Sequence, residues 1–232
     1  MRSIRALLGA GALAAGALCV SAPAAHADII IDDWSVNQGP LRQPSASDVS
    51  STVSGSMFGG RRELRGSNGD SKDGGGYTAE VSDGKLRAMF EPGRFASVQA
   101  SWRSFDGGID LTQGGQNDRF RFASILAPNF TIGGNDSTFS YQILYVGEAV
   151  NGSDVDVPFS SFEYYNYFTG EFRAATAADF QSIGSLSLSS RTQNGEFPDG
   201  ATLEVGTISA VPTPSAAALL ALGGLAAVRR RR

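Results

Sequence analysis

Cysteine and histidine each occur once in the 232 residues, at Cys19 and His26, and both fall within the first 27. The remainder of the chain has neither. That excludes a disulfide in the body of the protein. It also removes the commonest ligands for zinc, copper, haem and iron–sulfur sites. A Ser-His-Asp or Cys-His hydrolase would lack its base. Long helix-forming runs are scarce as well, and no apolar run reaches the roughly 20 residues that cross a bilayer comfortably. What remains is carboxylate chemistry and oxygen-ligand cation binding.

Charge is distributed unevenly. Six of the 19 basic residues, Arg2, Arg5 and Arg229 to Arg232, belong to the two ends, so 23 acidic groups between them face 13 basic ones, a net charge of −10. Such a body repels phosphate backbones, and nucleic-acid binding is not expected.

The N-terminus has a short basic start, Met1 to Arg5, then an uncharged Ala/Leu/Gly stretch from Ala6 to Val20. Small residues lead to Ala25-His26-Ala27, and Asp28 is the first acidic residue. This order predicts a secretory signal peptide over residues 1–27, cut between Ala27 and Asp28. At the other end, Pro212-Thr213-Pro214 stops any preceding strand. An apolar helix is expected over residues 215–228, and Arg229, Arg230, Arg231 and Arg232 close the chain. Arginines after an apolar helix favour the cytoplasmic side, which would leave the domain outside. The span is short for a permanent anchor, so a marginal anchor and a processing signal both remain open.

The Pro-x-Pro motif, the short Ala/Leu/Gly-rich helix and the terminal arginines, together with a signal peptide, resemble the PEP-CTERM sorting signal of Gram-negative bacteria. Thr213 stands where that family usually has Glu. The resemblance spans residues 211–232 and implies a sorting or processing enzyme at the inner membrane, an exosortase, as partner. It also implies association with exopolysaccharide at the envelope, surface or matrix. It says nothing about the domain at 28–210.

That domain is rich in Gly, Ser, Phe and β-branched residues, with short period-two segments between turn clusters. About nine to eleven strands are expected, an all-β, jelly-roll-type β-sandwich between the signal peptide and the short transmembrane helix. Strands are read at Ile29–Ile31, 61–65, 77–81, 86–90, 95–103, 119–122, 139–145, 155–159, 182–190 and 203–209. Ala96, Val98, Ala100 and Trp102 are assigned to the core side of their strand. Val155–Phe159 reads as an edge because of Pro158. Residues 174–180 read as the one helical turn, capped by Thr176 or by the start of that run. Val157-Pro158-Phe159-Ser160-Ser161-Phe162, the phrase Asp179-Phe180-Gln181-Ser182-Ile183 and Leu203-Glu204-Val205 resemble the C-terminal half of galactose-binding-like jelly rolls. That resemblance implies sugar binding.

Two clusters are candidate sites. Tyr164-Tyr165-Asn166-Tyr167-Phe168 is the densest aromatic run. Its rings at Tyr164, Tyr165 and Tyr167 could stack on a glycan or could pack the core and an edge. Adjacent members of a strand point to opposite faces. The loop Asn68 to Gly74 offers Asp70 and Asp73 to calcium, and could equally be a solvated turn; Lys72 and Ala79 break EF-hand spacing. Asp32, Asp33 and Glu204 are further oxygen donors for a looser site. No other cofactor is expected. The sequons at Asn129, Asn135 and Asn151 carry little weight. No carboxylate lies in a recognisable catalytic motif. The expectation is an exported, non-enzymatic surface or matrix protein, with a carbohydrate-binding module as the alternative and a carboxylate-dependent glycoside-active enzyme as the second.

Overall fold

The computed structural model describes residues 28–42, 49–68, 76–103, 107–192 and 199–213. Sixteen strands and three 3-10 turns are found among them. Eight strands form sheet A: β1 (Ile29–Asp32), β2 (Gln38–Arg42), β5 (Tyr77–Ser82), β6 (Lys85–Phe90), β8 (Arg119–Ala127), β11 (Val150–Pro158), β15 (Ala201–Val205) and β16 (Ile208–Val211). The other eight form sheet B: β3 (Val49–Ser54), β4 (Arg61–Asn68), β7 (Ala96–Arg103), β9 (Phe130–Asp136), β10 (Tyr141–Gly147), β12 (Glu163–Asn166), β13 (Phe172–Ala174) and β14 (Ile183–Thr192). Sheet A runs β1-β16-β8-β15-β6-β5-β2, with β11 on the far side of β8. Sheet B runs β13-β12-β10-β9-β14-β7-β4-β3. The chain crosses repeatedly between the sheets, as in a jelly-roll-type sandwich. The expected all-β class holds.

Alternation makes the core. Ala96, Val98, Ala100 and Trp102 point inward as expected, beside Leu186 and Leu188 of β14, and meet Leu86, Ala88 and Phe90 of β6 in one buried cluster. Phe159, Phe162 and Phe180 surround Phe120, and the Phe159 and Phe180 rings stack at 3.9 Å. The conspicuous polar element inside is an ion pair between sheets. Arg62 on β4 is 2.8 Å from Asp32 on β1, and both are almost fully buried. The carboxylate accepts two further bonds: Trp102 Nε1 donates to Asp32 Oδ2 at 2.7 Å and the Trp34 amide to Oδ1 at 2.7 Å. Arg62 also donates to Gln38 Oε1 and to the Val36 carbonyl, and its guanidinium sits 5.0 Å from the Trp34 ring.

Several boundaries differ from the sequence reading. The count of nine to eleven strands is too low because β2, β3, β9, β12 and β13 lack strong alternation of apolar residues. Gly39-Pro40 interrupts β2 and Gly133-Gly134 interrupts β9. The strand read at 203–209 is two strands. Gly206 donates to the Ala123 carbonyl, Ala123 donates to Thr207, and the run bends between neighbours β6 and β8. Phe139 is not in a strand but in a turn at φ 54°. The helical turn is a 3-10 turn at Ala177–Phe180, and Thr176 and Asp179 form a reciprocal capping box there. β11 pairs only with β8, the expected edge, and Pro158 lies at its end opposite Arg119. β16 ends at Val211, directly before Pro212.

Candidate functional site

With Leu64, Val98, Trp102, Ile132, Ile143 and Leu186 pointing into the core, the alternate residues of sheet B form its outer face. Register aligns them into rows across the strands. Ser185 on β14 lies opposite Arg103 on β7 and Asn135 on β9. Asn135 is opposite Gln142 on β10, Gln142 opposite Tyr165 on β12, and Tyr165 opposite Phe172 on β13. From Arg103 to Tyr165 is four strand spacings, about 19 Å. The next row, two residues along, carries Glu63, Ser101, Ser187, Gly133 and Leu144.

The middle of this face is hollow because its side chains are short. A depression of ≈ 150 Å³ is lined by Ser101, Ser185, Ser187, Gly133, Asn135 and Gln142, with Phe139 and Arg103 among its walls. A second, of ≈ 120 Å³, lies between Arg61, Glu63, Ser101 and Arg103. Gly133 is required by close approach: a Cβ there would sit 2.9 Å from the Ile143 carbonyl oxygen and 3.0 Å from Leu144 Cδ1.

Aromatic rings gather at the β12–β13 end. Among the described residues, five of the eight exposed large hydrophobics are Phe139, Tyr165, Tyr167, Phe168 and Phe172, which makes this end more apolar than the rest of the described surface. The Tyr165 and Tyr167 rings meet edge-on at 5.6 Å. The Tyr167 hydroxyl lies 3.0 Å from Asn135 Oδ1 and 3.2 Å from Gln142 Oε1, with one proton to share between them, while Asn135 Nδ2 donates to Ser185 Oγ at 3.4 Å. Burial, then the Tyr165 and Asp136 charges, raises the Tyr167 pKa above its ordinary value. The hydroxyl is therefore a donor throughout the neutral range.

Phe139 owes its position to Asp136. The Asp136 carboxylate accepts from the amides of Thr138 (3.2 Å), Ser140 (2.5 Å) and Tyr141 (3.0 Å) and from the Thr138 hydroxyl. Desolvation pushes this carboxyl up, but the Thr138, Tyr141 and Ser140 hydrogen bonds together outweigh it and hold it below the usual range. The turn it clamps is the one that carries Phe139.

Of the three tyrosines singled out in the sequence, Tyr165 and Tyr167 are on this face and Tyr164 is not. Tyr164 is buried on the core side of β12, against Tyr141, with the Arg173 guanidinium 3.7 Å from its ring centroid. Strand alternation separates it from Tyr165, so it is corrected from glycan contact to packing. Asp179 fixes that arginine, accepting from Nη1 and Nη2 at 2.7 and 2.8 Å. Sequence reasoning missed Arg103, Asn135, Phe139, Gln142 and Ser185. The alternating serines of 185–189 were a signal of an outward face but not of a site.

Asp70, Asp73, Ala27, Pro214 and Arg229 to Arg232 lie outside the described residues. Asp32 is committed to Arg62, Asp33 caps the Ser35 amide, and Glu204 pairs with Lys85 and Arg87 on sheet A. Among the described residues no group of three or more His, Cys, Asp or Glu is placed to hold a metal, and no helix is long and apolar enough to cross a membrane. Thr213 is bonded through its hydroxyl to Asp118 and to Arg119 Nη2.

No family model matches the chain, and no curated protein does so. Among solved structures, it is similar to a family 11 carbohydrate-binding module of a cellulosomal cellulase of Clostridium thermocellum, at 14% identity, covering 81% of this chain and 95% of that one, with a TM-score of 0.39. The same module family in complex with a β-1,3-1,4-mixed-linked tetrasaccharide matches at 13% identity, 81% and 98% coverage and a TM-score of 0.36. The L4b domain of human laminin alpha-2 matches at 13% identity, 72% and 99% coverage and a TM-score of 0.36. At such scores none of these likenesses assigns a function to this chain.

Proposed function

We propose that this is an exported, non-enzymatic carbohydrate-binding protein, delivered to the cell envelope or its matrix, that holds polysaccharide across the outer face of sheet B. One observation carries the reading: exposed Tyr165 and Tyr167 lie at the end of a row of Gln142, Asn135 and Ser185 that lines a shallow, open depression. Aromatic faces stack on sugar rings, and amide and hydroxyl groups supply both donors and acceptors to sugar hydroxyls. A trough of about 19 Å accommodates a short run of sugar units rather than one. The depression is lined by small side chains and amides, a surface for binding rather than bond cleavage. Export and envelope sorting rest on the two ends of the chain.

The test is affinity electrophoresis of the folded chain through gels containing different polysaccharides. At least one should retard it, and Tyr165→Ala and Tyr167→Ala should each weaken retention about tenfold, equivalent to about 1.4 kcal/mol. Met89→Ala, an exposed position on sheet A, should leave retention unchanged. Retention indifferent to both tyrosines, or absent for every polysaccharide, would overturn the reading.

Export has its own check. Intact mass of protein recovered from its producing cells should correspond to a chain starting at Asp28 and ending near Pro214. A species that keeps Arg232 and sediments with the inner membrane would mean the tail is not processed.

A further inference from the structure

We infer that two copies of this chain pair edge to edge through β3, so that sheet B of one copy continues into sheet B of the other. A sheet edge carries a row of unpaired N–H and C=O groups, and native edges are blunted by shortness, charge, proline or bulges. β1 has four residues and a break in register, β2 contains Gly39-Pro40, and β13 has three residues. β11 has two register shifts together with Asp154, Asp156 and Pro158. β3 has none of these devices. Its six residues, Val49-Ser50-Ser51-Thr52-Val53-Ser54, keep unbroken register with β4, and among the described residues β4 is its one sheet neighbour.

Register decides which groups this edge presents. Gly55 donates to the Gly60 carbonyl at 3.1 Å, so the hydrogen-bonded pairs counted back from it are Val53–Arg62, Ser51–Leu64 and Val49–Gly66. Ser50, Thr52 and Ser54 therefore turn their N–H and C=O groups away from β4. A two-fold axis at Ser51 sets Ser50 against the partner's Thr52, and each such pair exchanges two backbone bonds. The same axis sets Val49, which packs against the core as Val53 does, against the partner's Val53, and sets hydroxyl against hydroxyl on the outer face. An axis at Ser50 or at Thr52 would set valine against serine. Charge agrees as well. Arg65 lies beside Ser50 and Glu63 beside Thr52, so each row that crosses the axis carries Arg65 at one end and the partner's Glu63 at the other. The edge is thus complementary to itself in backbone groups, in side-chain type and in charge, which selects a second copy as its occupant. An axis perpendicular to the sheet leaves both outer faces on one side, where a single polymer can occupy both troughs. That use rests on the glycan-binding reading above; the pairing itself does not.

Sedimentation equilibrium of the full chain should show its mass rising toward twice the monomer value as concentration passes roughly 0.1 mM, the weak regime of a short interface. Thr52→Pro removes an outward N–H and no bond to β4, and Ser50→Lys with Thr52→Lys sets like charges opposite each other across the axis. Both variants should keep the circular dichroism of the parent and sediment as monomers. Facing residues at Ser51 would stand about 4.5 Å apart between Cα atoms, a span that a disulfide bridges. In a Cys19→Ala background, Ser51→Cys should therefore crosslink two copies under oxidised glutathione faster than Met89→Cys, an exposed position on sheet A. A constant monomer mass, a dimer that survives both β3 variants, or crosslinking no faster at position 51 than at 89 would overturn the pairing. The crosslinked dimer should also be retained by polysaccharide at least tenfold more strongly than the same protein reduced. Equal retention of the two would overturn the shared use of one polymer. Retention of neither would count against the glycan-binding reading and leave the dimer standing.

Discussion

Asp32→Ala is expected to lower the free energy of unfolding by about 3–5 kcal/mol, the usual result of stripping one partner from a buried ion pair. The loss is large because Arg62 is fully buried and would keep its charge with no counter-charge. Trp102 Nε1 and the Trp34 amide would lose their acceptor at the same time. Against a total stability of about 5–15 kcal/mol for a domain, that is a substantial fraction. Denaturant midpoints at neutral pH read it directly. The double change Asp32→Leu with Arg62→Met should recover most of the loss, since an apolar pair of similar volume avoids desolvation altogether. A single-variant loss below about 1 kcal/mol would mean the pair is solvated in practice and contributes little.

The second large effect is at Asp136. Removing its carboxylate deletes four hydrogen bonds at one stroke, three of them to backbone amides. Hydrogen bonds to a charged group are each worth about 1.5–3 kcal/mol, and water reaches part of this turn, so Asp136→Ala should cost about 2–4 kcal/mol. It should also weaken glycan retention at least tenfold, because Phe139 loses its fixed place beside the trough. The two readouts separate the roles: a loss of stability with retention unchanged would remove Phe139 from the site. Acid should act in the same direction. Asp136 is held below the ordinary carboxylate range, as is Asp179, where the Arg173 and Thr176 hydrogen bonds outweigh desolvation. As pH falls, the unfolded chain takes up protons before the folded one does. The stability these groups contribute is therefore complete above about pH 5 and erodes below about pH 4, toward their folded values. Urea midpoints across that range should fall, and the fall should be shallower in Asp136→Ala.

Much of the sandwich was legible because period-two patterning is a local property. The Ala96-to-Trp102 face, the edge at Pro158 and the stop at Pro212 follow from single-residue chemistry. Strands such as Gln38–Arg42 and Val49–Ser54 escaped because serine, glycine and proline carry little pattern, and their pairing with β5 and β4 is a tertiary choice. The site was half legible. The tyrosine cluster stands out in sequence, and alternation foretold that adjacent members would part. Arg103, Asn135, Gln142 and Ser185 come from four strands and share a row only through register. No local window contains that information. Asp32 was equally opaque: as a residue next to Asp33 it resembled a cation ligand, whereas its partner Arg62 is 30 positions away.

β16 is hydrogen-bonded on both sides, to β1 and to β8, and it is the strand from which the chain continues past Thr213. A pull on that continuation enters the protein through two ladders loaded together in shear, with the Thr213 hydroxyl fastened to Asp118 and Arg119 at the point of entry. The trough lies on the opposite sheet. Tension between a held polymer and the chain end would thus pass through the full thickness of the sandwich, where close packing resists it, instead of peeling an edge strand away.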